Sequence, residues 1–155
     1  MAIRNVVQVG NEILRKKSKV VKEFDEKLWI LLDDMKETMR KNDGCGLAAV
    51  QVGVLRRVIV LDVNNMKLEL INPEIIDSFG ENISSEGCLS VKGQSGYVKR
   101  PEEMTVKALD RYGNEFIITG VGLLAKALSH EIDHLEGILY TDKVIKDYKE
   151  KKGKK

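Results

Sequence analysis

The sequence is poor in histidine, cysteine, proline and aromatic residues, and it has little net charge. It contains two residues each of His, Cys and Pro, and aromatic residues make up 5% of its 155 positions. Leu, Ile and Val must therefore supply most of the core, in a chain whose length fits one domain. Lys and Arg number 26 against 24 Asp and Glu. This balance argues against a dedicated DNA-binding protein, which usually carries a strong basic excess.

Long apolar runs are missing as well. No stretch approaches the ~20 apolar residues of a membrane span, and the first residues do not resemble a signal peptide. We therefore predict a cytoplasmic protein without membrane association, in which both thiols stay reduced. Taken alone, Cys45 is interpreted as a small core residue. Cys88 is equally compatible with a buried structural cysteine and with a metal ligand.

Helical periodicity occurs in two segments. Residues 25–41 carry apolar side chains at helical spacing, which predicts an N-terminal amphipathic helix that ends at the Asn-Asp-Gly turn of residues 42–44. Residues 121–135 predict a second helix that ends at Gly137. Its apolar residues cover more than one face, so we expect this helix to be buried.

Strand-like runs lie between the two predicted helices. Residues 57–63 and 67–71 predict a hairpin around Asn64-Asn65, with Pro73 ending the second strand. Residues 104–109 and 115–119 predict another hairpin. A helix, then strands, then a helix indicates an α+β fold, with antiparallel or mixed sheets packed around the buried second helix.

The second predicted helix contains the sequence His130-Glu131-Ile132-Asp133-His134. Residues four apart project from one face, so both imidazoles can bind one metal ion, and Glu131 can act on a bound water. Burying such ionisable groups in an apolar helix is costly unless they are paired or bind a metal. We therefore predict a metal-dependent hydrolase with Glu131 as the general acid–base.

Two imidazoles do not complete a catalytic metal site, which needs a third protein ligand and an open position. The sequence has no other histidine, which leaves Cys, Asp or Glu. Cys88 is the best candidate, because the preceding Gly87 permits an unusual backbone approach. Residues 44–53 are rich in Gly and Ala, and Gln51 offers an amide donor suited to an oxyanion. Taken alone, such a Gly/Ala-rich segment more often reflects close packing between elements.

Three segments together resemble the peptide deformylase family. Residues 44–51 match its glycine–hydrophobic–glycine–hydrophobic–Ala-Ala-x-Gln pattern, residues 86–90 are its Glu-Gly-Cys-Leu-Ser motif, and residues 130–134 match its His-Glu-hydrophobic-Asp-His motif. All three occur in the family's order, and the resemblance extends over about residues 11–140. Some positions depart from the family's usual residues without removing a ligand or catalytic group: Val50, Val91-Lys92 and Lys126.

The resemblance implies that residues 1–155 form a single catalytic domain that removes the formyl group from the formyl-methionine of newly made polypeptides. It implies one divalent metal ion on Cys88, His130 and His134, with Fe²⁺ as the native metal and zinc, nickel or cobalt as replacements. The Gln51 side chain and the Leu89 backbone N–H would stabilise the oxyanion. Substrate-binding roles would fall to a further set: Gly44, Gly46, Gly87, Leu123 and Ala127.

Two other classes of protein remain open at this stage. One is a peptidase of the His-Glu-x-x-His type, and the other is a binding domain stabilised by a structural metal, which usually has four protein ligands. Asp133 is either an ordinary surface residue or part of an ion pair with Arg100. The basic tail of residues 146–155 is either a frayed terminus or a contact to the ribosome.

Overall fold

A computed structural model describes residues 2–146 of the chain. In this part of the chain, two α-helices accompany seven strands in two antiparallel sheets. The helices are α1 (Glu26–Lys41) and α2 (Leu123–Leu135). The strands are β1 (Gly46–Ala48), β2 (Val58–Val63), β3 (Met66–Phe79), β4 (Asn82–Cys88), β5 (Val91–Arg100), β6 (Glu103–Leu109) and β7 (Glu115–Val121). The predicted α+β class is confirmed in this form.

The larger sheet has the strand order β1-β2-β3-β6-β7, and β4 pairs with β5 in a separate hairpin. Strand β2 is buried on both faces, because Ile59 and Leu61 pack in the cluster around α2 while Val58 and Val60 pack against α1. The two helices therefore lie on opposite faces of the sheet at this strand. No helix among residues 2–146 is long and apolar enough to cross a membrane.

Helix α1 closely matches its predicted bounds. Asp25 is the N-cap, and its carboxylate accepts a hydrogen bond from Leu28 N at 3.2 Å, which satisfies one of the free N–H groups of the first turn. The apolar residues that set the prediction are buried: Leu28, Leu31, Leu32, Met35 and Met39.

The hairpin of β2 and β3 is also as predicted, and both turn residues, Asn64 and Asn65, have positive φ. The prediction that Pro73 ends the second strand is wrong. Strand β3 continues to Phe79, and its pairing with β6 shifts between Ile71 and Glu74. Pro73 lies inside this irregularity, where the sheet does not require an N–H from it.

Two boundaries differ around the second helix. Val121 ends β7, so α2 begins at Leu123, two residues later than predicted. Gly122 separates the two elements with a φ of 63°, a conformation that side chains with a Cβ rarely adopt. Gly137 has a φ of 78° just after the helix, and a Cβ there would lie 2.4 Å from the Arg15 carbonyl oxygen.

Candidate metal centre

Cys88, His130 and His134 meet at one point, with their ligand atoms all within 4.8 Å of one another. Cys88 is the last residue of β4, and both histidines project from α2 one turn apart. The Cys88 Sγ lies 3.4 Å from the His134 Nε2. One thiolate and two imidazoles are a donor set suited to a divalent transition metal.

The state of His134 fits a metal ligand. It is 1% exposed, and burial lowers its pKa well below the usual value, so the ring is neutral. Its Nε2 faces the thiol, and its buried Nδ1 has no hydrogen-bond partner among the described residues. A neutral imidazole presents the lone pair that a metal requires.

His130 is oriented by a carboxylate. Its Nδ1 lies 2.9 Å from Glu86 Oε1, which leaves Nε2 for the metal, as in carboxylate–histidine–metal arrangements. Burial lowers the pKa of His130, but hydrogen bonds to Cys88 and Glu86 outweigh this effect and raise the pKa to about 10. Metal binding at this ring must therefore release a proton.

Glu86 is in turn fixed by Arg100. The guanidinium donates from Nε and Nη2 to the two carboxylate oxygens at 2.8 and 2.9 Å. Burial raises the pKa of Glu86, but its bonds to His130 and Arg100 lower it to about 2. Arg100 Nη1 also donates to Asp133 Oδ2 at 2.7 Å, so of the alternatives left open for Asp133 the structure has the ion pair. The charge of the carboxylate behind the His130 imidazole is thereby compensated.

Glu131 is buried beside this cluster. It is 5% exposed, and its Oε1 has no hydrogen-bond partner among the described residues. Burial raises the pKa of Glu131 to about 7, which suits a group that takes up and returns a proton at neutral pH. A Cβ at Gly46 would lie 2.6 Å from Glu131 Oε2. Only glycine therefore leaves room for this carboxyl group.

Hydrogen bonds fix the Gln51 side chain, and its amide nitrogen is directed at Cys88. Its Oε1 accepts a hydrogen bond from Ala48 N at 2.9 Å, and its Nε2 donates to Ser90 Oγ at 3.1 Å and to Cys88 Sγ at 3.5 Å. The side chain is 1% exposed. These bonds fix which end of the amide donates, so Nε2 is oriented before any ligand arrives.

A cavity of about 350 Å³ opens over the cluster. His134 lies outside the lining of this cavity. The other ten of the eleven predicted site residues line it: Gly44, Gly46, Gln51, Gly87, Cys88, Leu89, Leu123, Ala127, His130 and Glu131. Leu89 lies in the tight turn between β4 and β5.

Cys45 also lines this cavity and is exposed, so its interpretation as a core residue is wrong. It lies just before the edge strand β1, and its carbonyl oxygen accepts a hydrogen bond from Asp62 N at 2.8 Å. The neighbouring glycines hold this segment at the rim of the cavity, so the side chain remains outside the core.

The sequence alone did not indicate a role in the site for Glu86 or Ser90. It indicated Arg100 only as a partner of Asp133. Glu86 and Ser90 belong to the same five-residue motif as Cys88, and that proximity was the available signal. Arg100 carried no comparable signal, because β5 places it beside Glu86 only after the chain has turned back.

The sequence profile described as polypeptide deformylase matches residues 3–150. A peptide deformylase of Caldicellulosiruptor bescii is 56% identical over 146 residues, which cover 94% of this chain and 88% of the relative. One of Acetivibrio thermocellus is 57% identical over 146 residues, covering 94% of this chain and 86% of the relative.

Solved structures agree with the sequence relatives. A crystal structure of a peptide deformylase from Legionella pneumophila superposes with a TM-score of 0.91 at 48% identity, covering 94% of this chain and 88% of that one. A peptide deformylase from Thermotoga maritima superposes with a TM-score of 0.92 at 36% identity, covering 94% and 99%. The profile, the relatives and the fold all lead to one conclusion, that this chain belongs to the peptide deformylase family of enzymes.

Proposed function

We propose that this enzyme removes the formyl group from N-formyl-methionyl peptides as they leave protein synthesis. The observation that carries the proposal is the buried Glu131 carboxyl group, whose Oε1 has no hydrogen-bond partner within residues 2–146, beside the Cys88–His130–His134 cluster in a cavity lined partly by glycines. Three ligands with an adjacent acid–base are typical of a catalytic rather than a structural metal site.

A bound divalent metal supplies Lewis acidity and lowers the pKa of water from near 16 to about 7. Glu131 takes the proton from the attacking water and later delivers it to the leaving amine, a task that matches its pKa of about 7. The Gln51 Nε2 and the Leu89 backbone N–H donate hydrogen bonds to the developing oxyanion. Cys88, His130 and His134 would hold the metal, and Glu86 and Arg100 fix the His130 imidazole.

Fe²⁺ is the proposed native metal, with Zn²⁺, Ni²⁺ or Co²⁺ as replacements. Support comes from the donor set, since imidazole and thiolate suit these borderline ions better than Mg²⁺ or Ca²⁺. The choice of iron among them rests on the family resemblance.

The shape of the cavity supports a small acyl group and an apolar first side chain. Strand β1 forms an edge of the larger sheet, so the backbone around Gly46 can pair with a substrate in strand fashion. Leu123 and Ala127 line the same cavity one turn apart on α2 and offer apolar surface to methionine. A formyl carbon bears only hydrogen, whereas the methyl of an acetyl group would crowd the backbone of residues 44–46.

Three peptides that differ only at the amino end test the proposal: formyl-Met-Ala-Ser, acetyl-Met-Ala-Ser and unblocked Met-Ala-Ser. The enzyme, purified without oxygen and loaded separately with Fe²⁺, Ni²⁺ and Zn²⁺, should release formate from the first and leave the other two intact. Internal cleavage without formate would favour a peptidase instead. No turnover with any metal would favour a structural site.

Cytoplasmic action on nascent chains remains part of this proposal. The sequence leaves the basic tail of residues 146–155 open between a frayed terminus and a contact to the ribosome, and residues 147–155 lie outside the described part of the chain. Loss of ribosome binding on deletion of residues 151–155, with a flatter salt dependence, would support that contact.

A further inference from the structure

A second cavity of about 220 Å³ lies beside the metal cavity. Leu123 and Lys126 line both spaces, so these two side chains of α2 form the border between them. The second cavity also has polar donors in its lining, the amide of Asn82 and the hydroxyl of Ser84. A peptide whose first residue occupies the metal cavity can therefore extend past Leu123 into a polar space.

Lys126 is a half-buried cation at this border. Its Nζ donates to Ser84 Oγ at 3.2 Å and to the Ser85 carbonyl oxygen at 2.9 Å, and both acceptors are neutral. Among residues 2–146, no carboxylate forms a salt bridge with it. An ammonium group has three donors, and a partly buried charge without a counter-ion is costly. The site is therefore suited to an anionic partner.

The other cation near the border is already compensated. Arg100 also lines the second cavity, but its guanidinium is bound to Glu86 and Asp133. Glu102 keeps its negative charge and accepts a hydrogen bond from the Asn82 amide at 2.8 Å, but it does not line either cavity. A ligand that leaves the metal cavity on this side therefore meets Lys126 as an unneutralised positive charge.

We propose that Lys126 is a specificity-determining residue that binds a carboxylate carried by the substrate downstream of its formyl-methionine. The inference rests on the proposed function. An extended chain advances by ~3.3–3.6 Å per residue, so an acidic side chain at the second or third residue is within reach of this border. The enzyme should accordingly process chains with an early Asp or Glu faster than their amide counterparts.

The test compares formyl-Met-Glu-Ala-amide with formyl-Met-Gln-Ala-amide, and formyl-Met-Ala-Glu-amide with formyl-Met-Ala-Gln-amide. Glu and Gln have nearly the same shape, and the blocked carboxyl end removes the terminal charge, so the ratio of kcat/KM reports the side-chain charge alone. We expect a preference for Glu of about two- to fivefold in at least one pair, the range of partly exposed ion pairs. The preference should shrink as salt rises.

Three variants show whether Lys126 causes the preference. Lys126→Met should abolish it while changing the rate on the Gln peptides by less than about twofold, and Lys126→Arg should keep it. Lys27→Met removes the same charge from the exposed surface of α1, outside both cavity linings, and should also keep it. Thermal melting of each variant verifies folding, and Lys126→Gln replaces Lys126→Met if the latter melts early.

An equal Glu/Gln ratio in the native enzyme and in Lys126→Met would overturn this inference. A parallel loss of rate on both peptides would do the same, because it would indicate that Lys126 only supports the Ser84–Ser85 backbone. Equal rates of formate release from all four peptides would overturn this inference and still support the proposed function. Absence of formate from every peptide would overturn both.

Discussion

At the scale of single residues, Glu131 is buried, one of its oxygens has no hydrogen-bond partner in the described part of the chain, and Gly46 leaves space for its carboxyl group. Glu131→Gln keeps the shape of this side chain but cannot carry the proton. Bound metal should remain at the native level, while kcat falls by about 10²–10⁴-fold, the usual contribution of a general acid–base. Metal content and formate release are measured on the same preparations. A variant with near-native turnover would remove Glu131 from its proposed role.

Gln51 should act on the transition state more than on substrate binding, since the oxyanion exists only along the reaction path. Gln51→Ala is expected to lower kcat by about 10²–10³-fold with little change in KM. The variant also leaves Ala48 N and Ser90 Oγ without their partner, so its free energy of unfolding should fall by about 1–3 kcal/mol. A change in KM alone, seen in steady-state kinetics, would make Gln51 a substrate-positioning residue instead.

The sequence could predict those site residues whose chemistry contrasts with that of their neighbours in the chain. His130 and His134 stand out because an apolar helix has no other reason to contain them, and Cys88 follows from the need for a third ligand. Residues that act by pairing across the fold could not be found in this way. Arg100 has a buried carboxylate partner only because β5 returns alongside β4. Cys45 was misplaced because composition does not reveal which residues form the rim of a cavity.

At the scale of elements, predictability followed periodicity. Helix α1, strand β2 and the turn of the β2–β3 hairpin have clear apolar patterns or turn residues, and they were predicted within a residue or two. Strands β4 and β5 were missed, because their sequence is mostly polar and contains few alternating apolar positions. Strand β3 was predicted too short, since a proline normally ends a strand and only the irregular pairing with β6 accommodates it.

Elements are also tied together by charge, and Glu69 of β3 is the clearest case. It accepts hydrogen bonds from Arg111, in the turn between β6 and β7, at 2.6 and 3.0 Å, and it pairs with Lys36 of α1. Burial raises the pKa of Glu69, but its bonds to Arg111 and Lys36 outweigh this effect and lower the pKa below its ordinary range. The ionised form is therefore favoured in the folded state.

A lowered pKa in the folded chain means that Glu69 adds stability above about pH 4.5, which is lost as the pH falls through the folded value. Glu69→Gln should reduce the free energy of unfolding by about 1–2 kcal/mol at pH 7. The difference from the native protein should shrink below about pH 4 as the native carboxylate becomes protonated.

Urea unfolding at several pH values measures this difference. Glu37→Gln is the matched control, since Glu37 pairs with Arg40 only on the surface of α1 and should cost less than about 0.5 kcal/mol. A Glu69→Gln difference that stays constant from pH 7 down to about pH 3 would contradict the assigned linkage.

At the scale of the whole molecule, the metal ligands come from two different parts of the fold, which are also joined by polar contacts such as Arg100 to Asp133. Cys88 belongs to the β4–β5 hairpin, whereas His130 and His134 belong to α2, which packs on the five-stranded sheet. The hairpin has its own small apolar cluster of Val91, Val98 and Tyr140, which is less extensive than the two main clusters. A metal ion bound by all three ligands would therefore link the hairpin to the rest of the domain.

This arrangement predicts that the metal stabilises the whole fold as well as the site. A metal that binds only the folded chain adds about 2.7 kcal/mol at one hundred times its dissociation constant, which raises the Tm of a domain of this size by about 5–10 °C. Removing it with a chelator should lower Tm by that amount, and adding Ni²⁺ should restore it.

Cys88→Ala should melt near the metal-free temperature with or without Ni²⁺, because it removes the ligand on the hairpin. Cys45→Ser is the matched control: it changes the other cysteine of the cavity, which is not one of the three clustered ligands, and should keep the full shift. A Ni²⁺-dependent rise in Tm that is equal in Cys88→Ala and the native chain would show that the metal is held without the hairpin.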